Sequence, residues 1–105
     1  MNFTNAKQIL QQEPVMAGMF TIDSHLAYVL FDSGASHSFI SMGFVDWHNL
    51  PPMAIMYAYR IHTMGSQMFI NTRTNTVSLV LATHTYRLQF MVMPGQGIDA
   101  ILGMN

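Results

Sequence analysis

The sequence has no cysteine, and only 9% of its 105 residues are charged. Without cysteine there is no disulfide framework and no zinc knuckle, which fits a reducing compartment. Four basic residues against five acidic ones, a formal net charge of −1, cannot neutralise a row of phosphates. Nucleic acid is therefore not expected as a direct partner. No apolar run approaches the ~20 residues that span a bilayer, so no membrane segment is expected. Residues 1–13 hold one Lys and then Gln and Glu, without the apolar core of a signal peptide. The chain is expected to be soluble and cytoplasmic. The five His show no i, i+3 or i, i+4 spacing, and neither His-Glu-x-x-His nor Gly-x-Ser-x-Gly occurs. No metal, no cofactor and no serine nucleophile is expected.

What the chain does have is apolar residues, half of the total. That suffices for one domain with a buried core, and leaves surface to cover against a partner. The eleven Met read as core filler and as a pliable, peptide-tolerant surface. Residues 1–13 read as a linker or weak helix ended by Pro14, and 14–105 as the folded domain. Strands are expected over 15–22 and 26–31, joined by a tight turn at Asp23-Ser24. A short helix over 38–48 would present Phe39, Ile40, Phe44, Val45 and Trp47, and end at Leu50-Pro51-Pro52. Two strands follow, 55–61 and 67–72, around Thr63-Met64-Gly65-Ser66. A further hairpin pairs 77–81 with 86–92, with Tyr86, Leu88, Phe90 and Val92 alternating onto one face. Residues 100–102 form a short buried strand. Many short strands and one small helix predict an all-β barrel.

One triplet carries chemistry. Asp32-Ser33-Gly34 follows the apolar strand Leu26-Ala27-Tyr28-Val29-Leu30-Phe31, and a carboxylate at the end of a buried strand is costly unless it is used. Near the C-terminus stands Ile98-Asp99-Ala100-Ile101-Leu102-Gly103. The stretches from Phe31 to Ser41 and from Met93 to Asn105 together resemble the retropepsin-like aspartic proteases, above all those of gypsy-type LTR retrotransposons. Tyr59-Arg60-Ile61-His62-Thr63-Met64-Gly65 matches more loosely, and the likeness covers about residues 14–105.

Aspartic-protease chemistry needs two carboxyls sharing one proton, the ionised one activating a water and the protonated one polarising the scissile carbonyl. Asp23, Asp46 and Asp99 lack the Ser-Gly context, so two copies of the chain must each give Asp32 across a two-fold axis. The resemblance implies the same homodimer, hydrolysing a polyprotein without cofactor. It further implies that Ser33 hydrogen-bonds across the dimer and that Gly34 allows close packing. Ala35 and Ser36 would line the substrate channel or brace Asp32. Met64, Gly65 and Ser66 would form a flap over the peptide, and Ile101, Leu102 and Gly103 a structural motif beneath the site. In the family a helix follows that motif. The resemblance thus implies a domain truncated at its C-terminal helix, which would dimerise weakly and whose activity is in question. The alternative reading is an inactive or domesticated module that dimerises or binds peptide. Asp99 reads as a turn or cap carboxylate, or else as a channel-lining acceptor for substrate. His37 lies between Ser36 and Ser38, but sequence neighbours point apart, so no Ser–His dyad is expected.

Overall fold

The apolar runs become strands, and the short ones at the centre of the sheet are largely buried. The computed structural model describes residues 16–63, 66–95 and 97–104. The linker or weak helix expected at 1–13, and the flap residues Met64 and Gly65, lie outside these. The elements are β1 (Met16–Ile22), β2 (His25–Asp32), β3 (Phe39–Ser41), α1 (Met42–Trp47), β4 (Pro52–Thr63) and β5 (Ser66–Thr74). They continue with β6 (Val77–Leu81), β7 (His84–Leu88), β8 (Met91–Met93) and β9 (Ala100–Gly103). The described residues form one curled, nine-stranded sheet in the order β4-β5-β8-β3-β9-β2-β1-β6-β7. This is the small all-β architecture expected from the sequence.

β1 and β2 pair antiparallel from Met16↔Phe31 to Ile22↔His25. Their turn residues Asp23 and Ser24 have φ of 48° and 70°, the left-handed pair whose twist suits a two-residue hairpin. The Asp23 carboxylate accepts the Ser78 N–H at 2.7 Å, and the Asp23 N–H donates to the Ser78 carbonyl at 2.8 Å. The turn is thereby tied to β6.

At the centre β2 runs parallel to β9, while β3 pairs antiparallel with β9 and parallel with β8. Because side chains alternate, these strands feed two apolar clusters. Ala27, Val29, Ile40, Val92 and Ala100 face one, with Phe44, Val45 and Phe90. Leu30, Phe39, Met93 and Ile101 face the other, with Ile70 and Ile98. Strands covered on both faces read as apolar runs, as the buried Val29 and Leu30 of β2 do on opposite faces.

Two expectations are corrected. The helix does not span 38–48: residues Phe39–Ser41 are strand, and only Met42–Trp47 is helical. Phe39 and Ile40 fill the slot between β8 and β9, and that burial outweighs local helix preference. Ser41 is the N-cap, its hydroxyl accepting the Phe44 N–H at 3.1 Å. The helix stops before the prolines, at Asn49, whose φ is 54°. Leu50 N–H reaches the Val45 carbonyl at 3.0 Å and Asn49 N–H the Asp46 carbonyl at 3.4 Å, the two bonds of a Schellman cap. Pro52 then opens β4, an edge strand, where a missing N–H is tolerated.

The second correction concerns 86–92. This run is two strands, because the chain leaves β6 after Leu88 and crosses to β3 and β5 at Met91. Tyr86 is consequently half exposed and not part of the inward face. Buried Thr74 anchors the crossing: its hydroxyl accepts the Phe90 N–H at 3.1 Å and its N–H donates to the Phe90 carbonyl at 2.8 Å.

A histidine pair absent from the sequence reading joins α1 to the β1–β2 hairpin. The His25 and His48 rings stack at 4.1 Å with 24° between planes, and Phe44 lies 4.4 Å from His48. Burial lowers the His48 pKa below its ordinary 6.5, the His25 neighbour lowers it further, and Asp99 opposes both. The unfolded chain therefore takes up a proton at His48 before the folded one does. The resulting stability is fully present above ~6.5 and is lost as pH falls towards the lower folded value. Urea midpoints at about pH 7.5 and pH 5 should fall less in His48→Gln than in the wild type. An equal fall in both would show that His48 contributes nothing to acid sensitivity.

Candidate active site

Asp32 is the last residue of β2 and lies opposite Gly103, the last residue of β9. It is only 3% exposed. Its Oδ1 accepts the Gly34 N–H at 2.9 Å, closing a short turn that places Ser33 and Gly34 on the surface. Its carbonyl accepts the Ala35 N–H at 3.3 Å and the Met104 N–H at 3.1 Å. Oδ2 takes no hydrogen bond from any described residue, and no described cation pairs with the carboxylate. Such a carboxylate can accept a proton from water. Oδ2 is not a buried atom left without a partner, so it is reachable by water or by a further group.

The loop after Asp32 folds across the end of β9. Ser38 Oγ accepts the Gly103 N–H at 3.1 Å, and the Ser38 carbonyl accepts the Met91 N–H at 2.9 Å. Gly103 is needed for this approach. A Cβ there would stand 2.7 Å from the Ala35 carbonyl oxygen and 2.9 Å from the His37 carbonyl carbon. Ile101 is buried in the cluster beneath Leu30, and Leu102 packs on the opposite cluster. The two motifs, remote in sequence, therefore form one unit.

Of the residues singled out from the sequence, Asp32, Ser33, Gly34, Ala35 and Ser36 share this turn and loop with Gly103. Ala35 is half-buried and Ser36 exposed. Ser66 begins β5 and pairs with Thr63 across the β4–β5 hairpin, whose tip lies outside the described residues. Asp99 has the structural role: its Oδ2 accepts the Tyr28 N–H at 2.8 Å, and its carbonyl accepts the Ser41 N–H at 2.8 Å. It locks β2 and β3 around the start of β9. Ser38 was missed as a brace because a serine before an apolar run looks like a helix cap, and nothing local marks its contact with Gly103. Among the described residues no three His, Asp or Glu side chains gather in a way that could hold a metal ion.

Comparison with known proteins agrees with this fold. A crystal structure of the retroviral protease-like domain of Ddi1 from Leishmania major superposes with a TM-score of 0.62. It is 18% identical, over 89% of this chain and 74% of that one. EIAV protease in complex with the inhibitor HBY-793 gives a TM-score of 0.60 at 18% identity, over 88% of this chain and 84% of that one. At these identities the likeness establishes the fold. A search of curated proteins finds no match. The sequence pattern of the family described as retroviral aspartyl protease matches residues 1–105, the whole chain. The chain belongs to the retroviral aspartyl protease family.

Proposed function

We propose that the chain is the aspartic endopeptidase of a retrotransposon polyprotein, of the gypsy type suggested by its motifs, acting as a homodimer in the cytoplasm or in the element's own particles. The observation that carries this reading is the Asp32 carboxylate at the end of β2, 3% exposed, with one oxygen held by the Gly34 N–H and no second carboxyl bonded to it among the described residues. A second copy related by a two-fold axis supplies one. The two Asp32 groups then share a proton: one takes a proton from the bound water, the other polarises the scissile carbonyl. Ser33 and Gly34, exposed in the single chain, meet their counterparts across the axis. Ala35 and Ser36 line the channel, and Met64, Gly65 and Ser66 close over the peptide and exclude water.

Apolar surface beside the carboxylate supports the dimer. Met104, bonded through its N–H to the Asp32 carbonyl, is 60% exposed, and Met16, paired with Phe31, is 74% exposed. A stable interface buries at least ~1,200 Å² in total, to which exposed apolar side chains of this kind contribute. Specific activity on a peptide library should rise with enzyme concentration, in step with dimer formation by sedimentation. The pH profile should be bell-shaped with its maximum on the acid side of neutral. A sedimenting monomer that cuts at constant specific activity would overturn the two-chain site. Peptide retained but uncut would identify a binding module instead.

A further inference from the structure

A recess of about 320 Å³ opens at the other end of β2 from Asp32. Leu26, on its rim, is six residues from Asp32, or ~20 Å along an extended strand. The recess is lined by Leu26, Ser41, Phe44, Trp47, His48 and Asp99. Its walls are aromatic and largely open to solvent: Trp47 is 82% exposed and Leu26 62%, above the buried ring of Phe44. Asp99 is half-buried there. Its Oδ2 is held by the Tyr28 N–H, while Oδ1 takes no hydrogen bond from any described residue.

This chemistry selects its occupant. An apolar group would strip water from the unpaired carboxylate oxygen without replacing the lost hydrogen bond. An anion would be repelled by it. A guanidinium suits both parts, since its N–H fork can donate to the carboxylate while its flat face and alkyl stem lie against indole and leucine. We propose that this recess docks an arginine side chain of a polypeptide partner, at a site separate from the Asp32 turn. The inference is independent of the hydrolytic reading.

Trp47 is the single tryptophan of the chain, so its emission reports on this recess alone. The full chain is titrated with acetyl-Gly-Arg-Gly-amide and with the same peptide carrying citrulline, a neutral isostere of arginine. The arginine peptide should change Trp47 emission saturably. The citrulline peptide should bind at least about tenfold more weakly, as should the arginine peptide on Asp99→Asn. The Asn side chain can still accept the Tyr28 N–H, and if that variant fails to fold, the citrulline comparison decides alone. No saturable change up to millimolar peptide would overturn the proposal, and so would equal responses to arginine and citrulline. An emission shift driven by protein concentration alone, and blocking the peptide response, would assign the recess to a second copy and overturn it as well.

Discussion

Replacing Asp32 by Asn should reduce peptide hydrolysis about 10³-fold or more and leave the fold intact. The fold survives because the Asn side-chain oxygen can still accept the Gly34 N–H that Asp32 Oδ1 accepts at 2.9 Å. A buried charge is also removed, so the denaturation midpoint should hold or rise slightly. Hydrolysis is lost because an amide cannot take a proton from water at the position of Oδ2. If two chains share one site, an excess of Asp32→Asn protein should in addition silence the wild type. Activity should then fall roughly as the square of the wild-type fraction, since mixed dimers hold one carboxylate. Unchanged turnover in the Asn variant, from preparations free of other proteases, would remove Asp32 from the mechanism. Linear dilution in the mixing experiment would leave Asp32 essential but place the whole site within one chain.

Gly103→Ala should be severely damaging. Its Cβ would meet the Ala35 carbonyl oxygen at 2.7 Å and the His37 carbonyl carbon at 2.9 Å, both backbone atoms. They cannot yield without pulling the loop from β9, which breaks the Ser38 Oγ bond to the Gly103 N–H and disturbs the pairing of Asp32 with Gly103. A loss of about 2–4 kcal/mol is expected from this overpacking, lowering the melting temperature by on the order of ten degrees. Gly18→Ala is the internal comparison. There the added Cβ meets only the Phe20 ring, at 3.0 Å, and a side chain can rotate away. It should cost less than ~1 kcal/mol and leave hydrolysis unchanged. Urea denaturation of both variants separates the cases. Equal midpoints would mean that the loop over Gly103 yields more readily than its backbone contacts imply.

The sequence alone determined the features that are local. The two-residue turn at Asp23-Ser24, the apolar run leading into Asp32 and the short turn that Asp32 closes with the Gly34 N–H are each set by neighbours within a few residues. The pairing of Asp-Ser-Gly with Ile-Leu-Gly was legible as a family pattern, and the fold it implied is the fold observed. Only the tertiary structure decided how distant segments meet. Residues Phe39–Ser41 became strand because β8 and β9 flank them, and no local period distinguishes three such residues from a helix start. The run after His84 broke in two because its halves have different partners. Ser38 braces Gly103, Asp99 clamps β2 to β3, and His25 stacks on His48 for the same reason. Each contact joins residues far apart in sequence, and its free energy comes from burial and pairing that exist only once the sheet has curled.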